Sequence, residues 1–279
     1  MPPRFTHHAA IDWSGASGQR HKGIALAMIG ATAPAPTLIR PGHIWSREEV
    51  LHWVAEEAPE DTLIGFDLGQ SLPFADAGAF FPGWDATPAT ARDLWALIDG
   101  ICADDPHLGA QSFVDHAEAS RHFRRHGGRQ GDLFPAGRGR MRVTEQAQAL
   151  AGCQPTSNFN LVGASQVGKS SLTGMRLFHR LPSDVAVWPI DPVPARGKVV
   201  AEIYTTIAAM AAGRPASRSK MRTQGELTQA LAALGCAWAA PEGPVADHVS
   251  DALVTAAWLR GASGRDALWH PAALTPTIA

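Results

Sequence analysis

The sequence predicts an α/β fold: a mixed β-sheet flanked by helices, in one domain spanning residues 1–279. Three observations predict it. The first part of the chain reads as short apolar strands joined by turns rich in Ser, Gly and Pro. A helical pattern then lies between two strands that each end on an acid, the order expected of a right-handed crossover between parallel neighbours. The last helical pattern is apolar nearly all round, as suits a helix buried against a sheet.

Residues 6–12 (THHAAID) predict a strand that closes on Asp12, followed by a turn over Ser14, Gly15, Ser17 and Gly18. Residues 23–30 predict a second strand, and 37–45 a third, with Pro41 placing it at an edge or a bulge. Ser46 has the character of an N-cap. Glu48 and Glu49 follow in the first turn, with Val50, Leu51, Val54 and Ala55 forming an apolar stripe. Residues 62–67 (TLIGFD) predict a fourth strand, ending on Asp67. From 72 to 196 the pattern is irregular, with many Pro and Gly and helical pieces at 89–103 and 115–126. This stretch reads as a large insertion between the fourth and fifth strands. The fifth strand, 198–206 (KVVAEIYTT), carries Glu202 inside it, and helices over 224–234 and 244–260 follow.

Composition excludes some classes. With 45% hydrophobic and 18% charged residues the chain is globular rather than disordered. A net charge of −2 rules out a polycation, so contact with nucleic acid requires a local basic patch. The three cysteines, Cys102, Cys153 and Cys236, form no C-x-x-C pair, which argues against a zinc knuckle or a disulfide framework and suits a reducing cytoplasm. Without an apolar leader or a long apolar run, the expectation is a soluble cytoplasmic protein with no membrane contact. Oligomeric state is not legible.

Four acids stand where a carboxylate is costly without a partner. Asp12 and Asp67 close apolar strands, Glu202 interrupts another, and Asp251 lies in DHVSDALVTAAWLR, followed by an unbroken apolar run. His248 falls three residues before Asp251, on the same helix face. Plainer roles exist. Asp12 and Asp67 could anchor the turns behind them, Glu202 could face solvent or a basic partner, and Asp247 suits an N-cap. Oxygen donors alone select Mg²⁺ or Mn²⁺ over zinc.

The order of strand acid, second acid on a parallel neighbour and terminal H-x-x-D-A-L helix resembles RNase H-like nucleases of the Holliday-junction-resolvase type. More closely, AIDWSG (10–15), IGFDLGQSLP (64–73), VGASQVGKSSLTGM (162–175), AEIYTT (201–206) and DHVSDALVTA (247–256) resemble the predicted RNase H-like nuclease family known as domain of unknown function 429. The resemblance implies a five-stranded mixed sheet with flanking helices. It also implies a metal site carried by Asp12, Asp67 and Asp251, with Glu202 close by. The resolvase pattern has Glu at the second position, where this chain has Asp67, one methylene shorter.

On that resemblance the expected activity is metal-dependent hydrolysis of phosphodiester bonds in DNA or RNA. Two ions about 3.5–4 Å apart activate water and stabilise the leaving oxygen. Asp12 would bridge them, Asp67 and Asp251 would each hold one, and Glu202 or His248 would steer water or the leaving group. For the substrate, residues 121–142 supply seven arginines against one aspartate: Arg121, Arg124, Arg125, Arg129, Arg138, Arg140 and Arg142. Arg214, Arg218, Lys220 and Arg222 form a second basic cluster. Such loops can follow a phosphate backbone or simply be solvated.

Other patterns compete. Residues 163–170 match the P-loop pattern G-x-x-x-x-G-K-[ST]. That mechanism needs a buried strand before the loop and a clean helix after it. Residues 158–162 are short and interrupted by Asn, Gly174 comes early, and Pro189 breaks 185–191 as an acidic partner strand. A structural glycine-rich loop near the carboxylates is the favoured alternative. Asp12-Trp13-Ser14-Gly15 and the run from Asp67 to Ser71 faintly resemble the phosphate loops of actin-like and sugar-kinase ATPases. A catalytically silent RNase H-like nucleic-acid-binding module completes the alternatives.

Overall fold

A computed structural model describes residues 4–163, 167–239 and 242–272. Its centre is a mixed six-stranded sheet: β1 (His7–Asp12), β2 (Ala25–Gly30), β3 (Thr37–Leu38), β4 (Thr62–Phe66), β5 (Ala186–Trp188) and β6 (Val199–Glu202), in the order β3-β2-β1-β4-β6-β5. The first three strands form an antiparallel meander, while β4 lies parallel to β1, and β6 parallel to both β4 and β5. Helix α1 (Arg47–His52) runs on as a π-helical turn over Trp53–Glu57 and makes the crossover from β3 to β4. Its start is a capping box. Ser46 Oγ accepts from Glu49 N–H at 3.1 Å, and Glu49 Oε2 accepts from Ser46 N–H at 2.8 Å.

Alternation along the strands sorts the two faces. Ala9, Ile11, Ile64, Phe66 and Val200 point to one side, where α1, α2 (Ala91–Ile101), α3 (Gln111–Asp115) and α5 (Val167–His179) cover them. Phe178 of α5 packs between Phe66 and Trp95, with ring centroids 5.4 and 5.6 Å apart, and its burial stabilises by about 1.5–3 kcal/mol. Ala10, Ala27, Leu63, Val199 and Ala201 point to the other side, under α6 (Thr205–Ala211), α7 (Gln224–Ala233) and α8 (Asp247–Ala262). Helix α8 rides low on this face because β4 carries Gly65. A Cβ there would stand 2.6 Å from Ile203 Cγ2 and 2.9 Å from Leu259 Cδ1. The remaining helices, α4 (Val143–Leu150) and α9 (Asp266–Trp269), are short. No helix among the described residues is long and apolar enough to cross a membrane.

Several expectations need correction. The sheet has six strands rather than five, because Ala186–Trp188 adds a parallel edge strand that stops just before Pro189. The third strand shrinks to Thr37–Leu38. The fifth expected strand ends at Glu202, and its Thr205–Thr206 opens α6 instead. The helix expected over 115–126 shrinks to one 3-10 turn, Ala119–His122: α3 stops at Asp115, His116 turns extended, and Arg124 bridges to Gln130 and Asn160. Gly174 does not interrupt α5. It lets the helix close onto Leu68.

Candidate carboxylate site

The carboxyl ends of β1 and β4 lie side by side, so Asp12 and Asp67 emerge together, on the parity that faces α8. Asp251, one turn into α8 and 3% exposed, comes up against them. Asp12 and Asp67 are close enough to share a hydrogen bond between their carboxyls. Burial, then the charges of Asp67 and Asp251, push the Asp12 carboxyl well above the usual carboxylate range. Burial and Asp251 push Asp67 up to about 6, partly offset by Lys220 and by Thr205. Thr205, at the start of α6, donates its hydroxyl to Asp67 Oδ2 at 3.2 Å. Asp251 is raised by burial and lowered again by Lys220.

Lys220 is the one cation at this cluster among the described residues. Its Nζ donates to Asp251 Oδ2, and although burial disfavours the ammonium, Asp251, Asp12 and Asp67 together raise its pKa. The loop that carries it is pinned next door, since Ser250 Oγ donates to the carbonyl of buried Met221 at 3.0 Å. Sequence reading placed Lys220 in a basic patch and missed this role. The contact spans a loop and a helix, and no local pattern signals it. Thr205 had a weak signal, a pair of hydroxyl residues just after an acid-bearing strand.

Glu202 does not join the aspartates. It pairs in register with Phe66, on the opposite face of the sheet from Asp12 and Asp67. There Arg142 clamps it through Nη1 at 2.7 Å and Nη2 at 2.6 Å, and Gln70 N–H donates to Oε2 at 2.9 Å. Arg142 also holds buried Glu145. Burial works against the guanidinium, but the two glutamates outweigh it and raise its pKa. His248 is half-buried near Asp251, and burial lowers its pKa despite Asp247 and Asp251. It lines a cleft of about 280 Å³ with Lys22, Arg40 and His43. Asp247 is the first residue of α8 rather than its cap, which is Ala246.

Most of the arginine-rich loop is neutralised within the chain. Arg121 pairs with Asp132 and Glu118, Arg125 and Arg129 with Asp115, Arg140 with Asp76, and Arg142 with the two glutamates. Arg124 and Arg138 are exposed and make no ion pair among the described residues. In the second cluster Arg214 pairs with Glu226 and Arg222 with Asp247. Of the P-loop-like motif, residues 164–166 lie outside the described residues. The preceding 158–162 forms no strand, only a bridge at Asn160, while α5 follows from Val167. Asp191, in the stretch considered as an acidic partner strand, is bound by Arg92 and by Val187 N–H.

The three aspartates offer hard oxygen donors, the kind Mg²⁺ or Mn²⁺ prefers. Among the described residues no three His, Cys, Asp or Glu side chains form a ready-made cage for an ion, and the ammonium of Lys220 supplies the local positive charge. Donor chemistry therefore fits a hard divalent cation, whose entry requires Asp251 to turn from Lys220. No protein-family model matches this chain, nor does any curated protein or solved structure.

Proposed function

We propose that this chain is an RNase H-like hydrolase that cleaves phosphodiester bonds in nucleic acid, using Mg²⁺ or Mn²⁺ held by Asp12, Asp67 and Asp251. The observation that carries the reading is the meeting of these aspartates, from two strand ends and a helix, in one buried, under-compensated patch. Buried acids that repel one another are expensive, and a divalent cation removes that cost. The antiparallel meander β1–β3 with β4 parallel to β1 supports the RNase H-like comparison, with 72–196 as an insertion that also delivers the edge strand β5.

A bound divalent cation supplies an activated water and stabilises charge on the leaving oxygen. The chain's own residues do the rest. Thr205 donates its hydroxyl to Asp67, and Asp12, Asp67 and Asp251 would together hold the ion. Lys220, released from Asp251, can face the phosphoryl oxygens. Lys22, Arg40 and His248 line the adjoining cleft where a phosphate backbone can enter. Glu202 stays on its own face with Arg142 and braces the Gln70 loop.

Mn²⁺ titration followed by electron paramagnetic resonance, with cleavage assays on single-stranded, duplex and branched substrates, tests the proposal. Binding and cleavage are expected in the wild type, with Asp12→Asn and Asp251→Asn losing at least about a hundredfold in rate. Undiminished cleavage in both variants overturns it. The Lys220–Asp251 pair favours a second reading, a silent binding module in which the ammonium permanently replaces the metal. Substrate binding with no Mn²⁺ uptake selects that reading.

A further inference from the structure

Beside Glu202 and Arg142 lies a larger cavity, of about 470 Å³, in the size range of a small-molecule site. Its walls are mainly apolar and include five aromatic side chains: Phe74, Phe80, Trp188, Tyr204 and Trp258. Its charged groups are engaged with one another. Arg142 is engaged by both Glu202 and Glu145, so the cavity holds no open cation for an anion to seek. What it offers a ligand is flat apolar surface and a few neutral polar groups, among them Gln70, Thr144 and Gln148. Gln70 is 3% exposed and packs into the wall, its Nε2 closed off from the cavity space.

The cavity is joined to the acids by four consecutive residues. Glu202, Ile203 and Tyr204 line it, and the next residue, Thr205, holds Asp67. A ligand reaching both places needs a neutral, planar, hydrogen-bonding part within a few residues' breadth of a part that suits a metal-carboxylate centre. A nucleotide divides in just this way, into base and phosphate.

We infer that this cavity takes one unpaired nucleobase of the substrate, stacked on the aromatic wall with the polar groups of Thr144 and Gln148 at its edge. The inference rests on the phosphodiesterase reading, and it makes that activity selective for single-stranded or locally opened substrate, since a base inside a duplex cannot enter.

The test is a fluorescence titration of the full chain, without metal, using nucleoside 5′-monophosphates and one oligonucleotide in single-stranded and duplex form. Trp188 and Trp258 report occupancy. Two cavity-filling variants are compared, Ile207→Trp and, on the exposed face of α4, Ala147→Phe; if the first does not fold, the second decides. Each is expected to weaken monophosphate and single-strand binding by about tenfold or more while Mn²⁺ uptake is unchanged. The duplex is expected to bind more weakly than its single strand. Equal binding of duplex and single strand, or monophosphate affinity unmoved by the filled cavity, overturns the inference. If the bases bind as expected but Mn²⁺ does not, the cavity assignment stands and the phosphodiesterase reading falls.

Discussion

The two faces of the sheet treat strand-end carboxylates in opposite ways. On one, Glu202 and Glu145 share a single guanidinium that meets both of them through paired hydrogen bonds, and the cluster is settled. On the other, three aspartates share one flexible ammonium, and all three carboxyls are pushed above their ordinary range. The difference teaches where to look for chemistry. A saturated Arg clamp is architecture, whereas a buried excess of negative charge is waiting for a cation.

The sharpest way to break this contrast is activity. Asp12→Asn and Asp251→Asn should fall at least about a hundredfold in metal-dependent cleavage, while Glu202→Gln should stay within roughly fivefold of wild type. A Glu202 variant as dead as the aspartate variants would erase the distinction. Next in size is the clamp itself. Arg142→Met leaves Glu145 and Glu202 buried without a partner, and chemical denaturation should show a loss of about 3–5 kcal/mol.

The aspartate face should answer in the other direction. Asp67 holds its proton more tightly in the folded chain, with a pKa near 6, than unfolded. Its ionisation therefore costs stability above that pH and nothing below the ordinary carboxylate range. Without divalent cation, Asp67→Asn should exceed wild type by about 1–2 kcal/mol at pH 8, and the gap should narrow as pH falls below about 6 and close only below about 4. The difference between the two proteins is the proper readout. Buried His8 and His21, each held down to about 4, give both proteins the opposite slope below neutrality. A gap constant with pH would refute the assignment. The smallest effect is expected from Thr205→Val, which removes the hydroxyl bond to Asp67 and should cost about 0.5–1.5 kcal/mol in thermal or denaturant unfolding above pH 7.

Local pattern carried the parts of this molecule that local physics decides. Acids closing apolar runs marked Asp12 and Asp67, and an unbroken apolar stretch behind Asp251 marked a helix buried on the sheet. Ser46, with Glu48 and Glu49 behind it, announced the start of α1. The parity of Glu202 was not legible, because Val199, Val200 and Ala201 are apolar on both faces and no alternation says which side is which. Strand β5 hid behind Pro189, which ends it after three residues. The ion pairs of the arginine-rich loop and the place of Lys220 depend on long-range packing, Asp76 with Arg140 or Met221 with Ser250, that spacing along the chain does not encode.

The run from Glu202 to Thr205 also has a mechanical side. Its first carboxylate is gripped from beneath the sheet and its last hydroxyl grips from above, so four residues act as a crossbeam with both ends bolted. The Arg142 clamp and the hydrogen bond to Asp67 are therefore held by one stretch of backbone only four residues long.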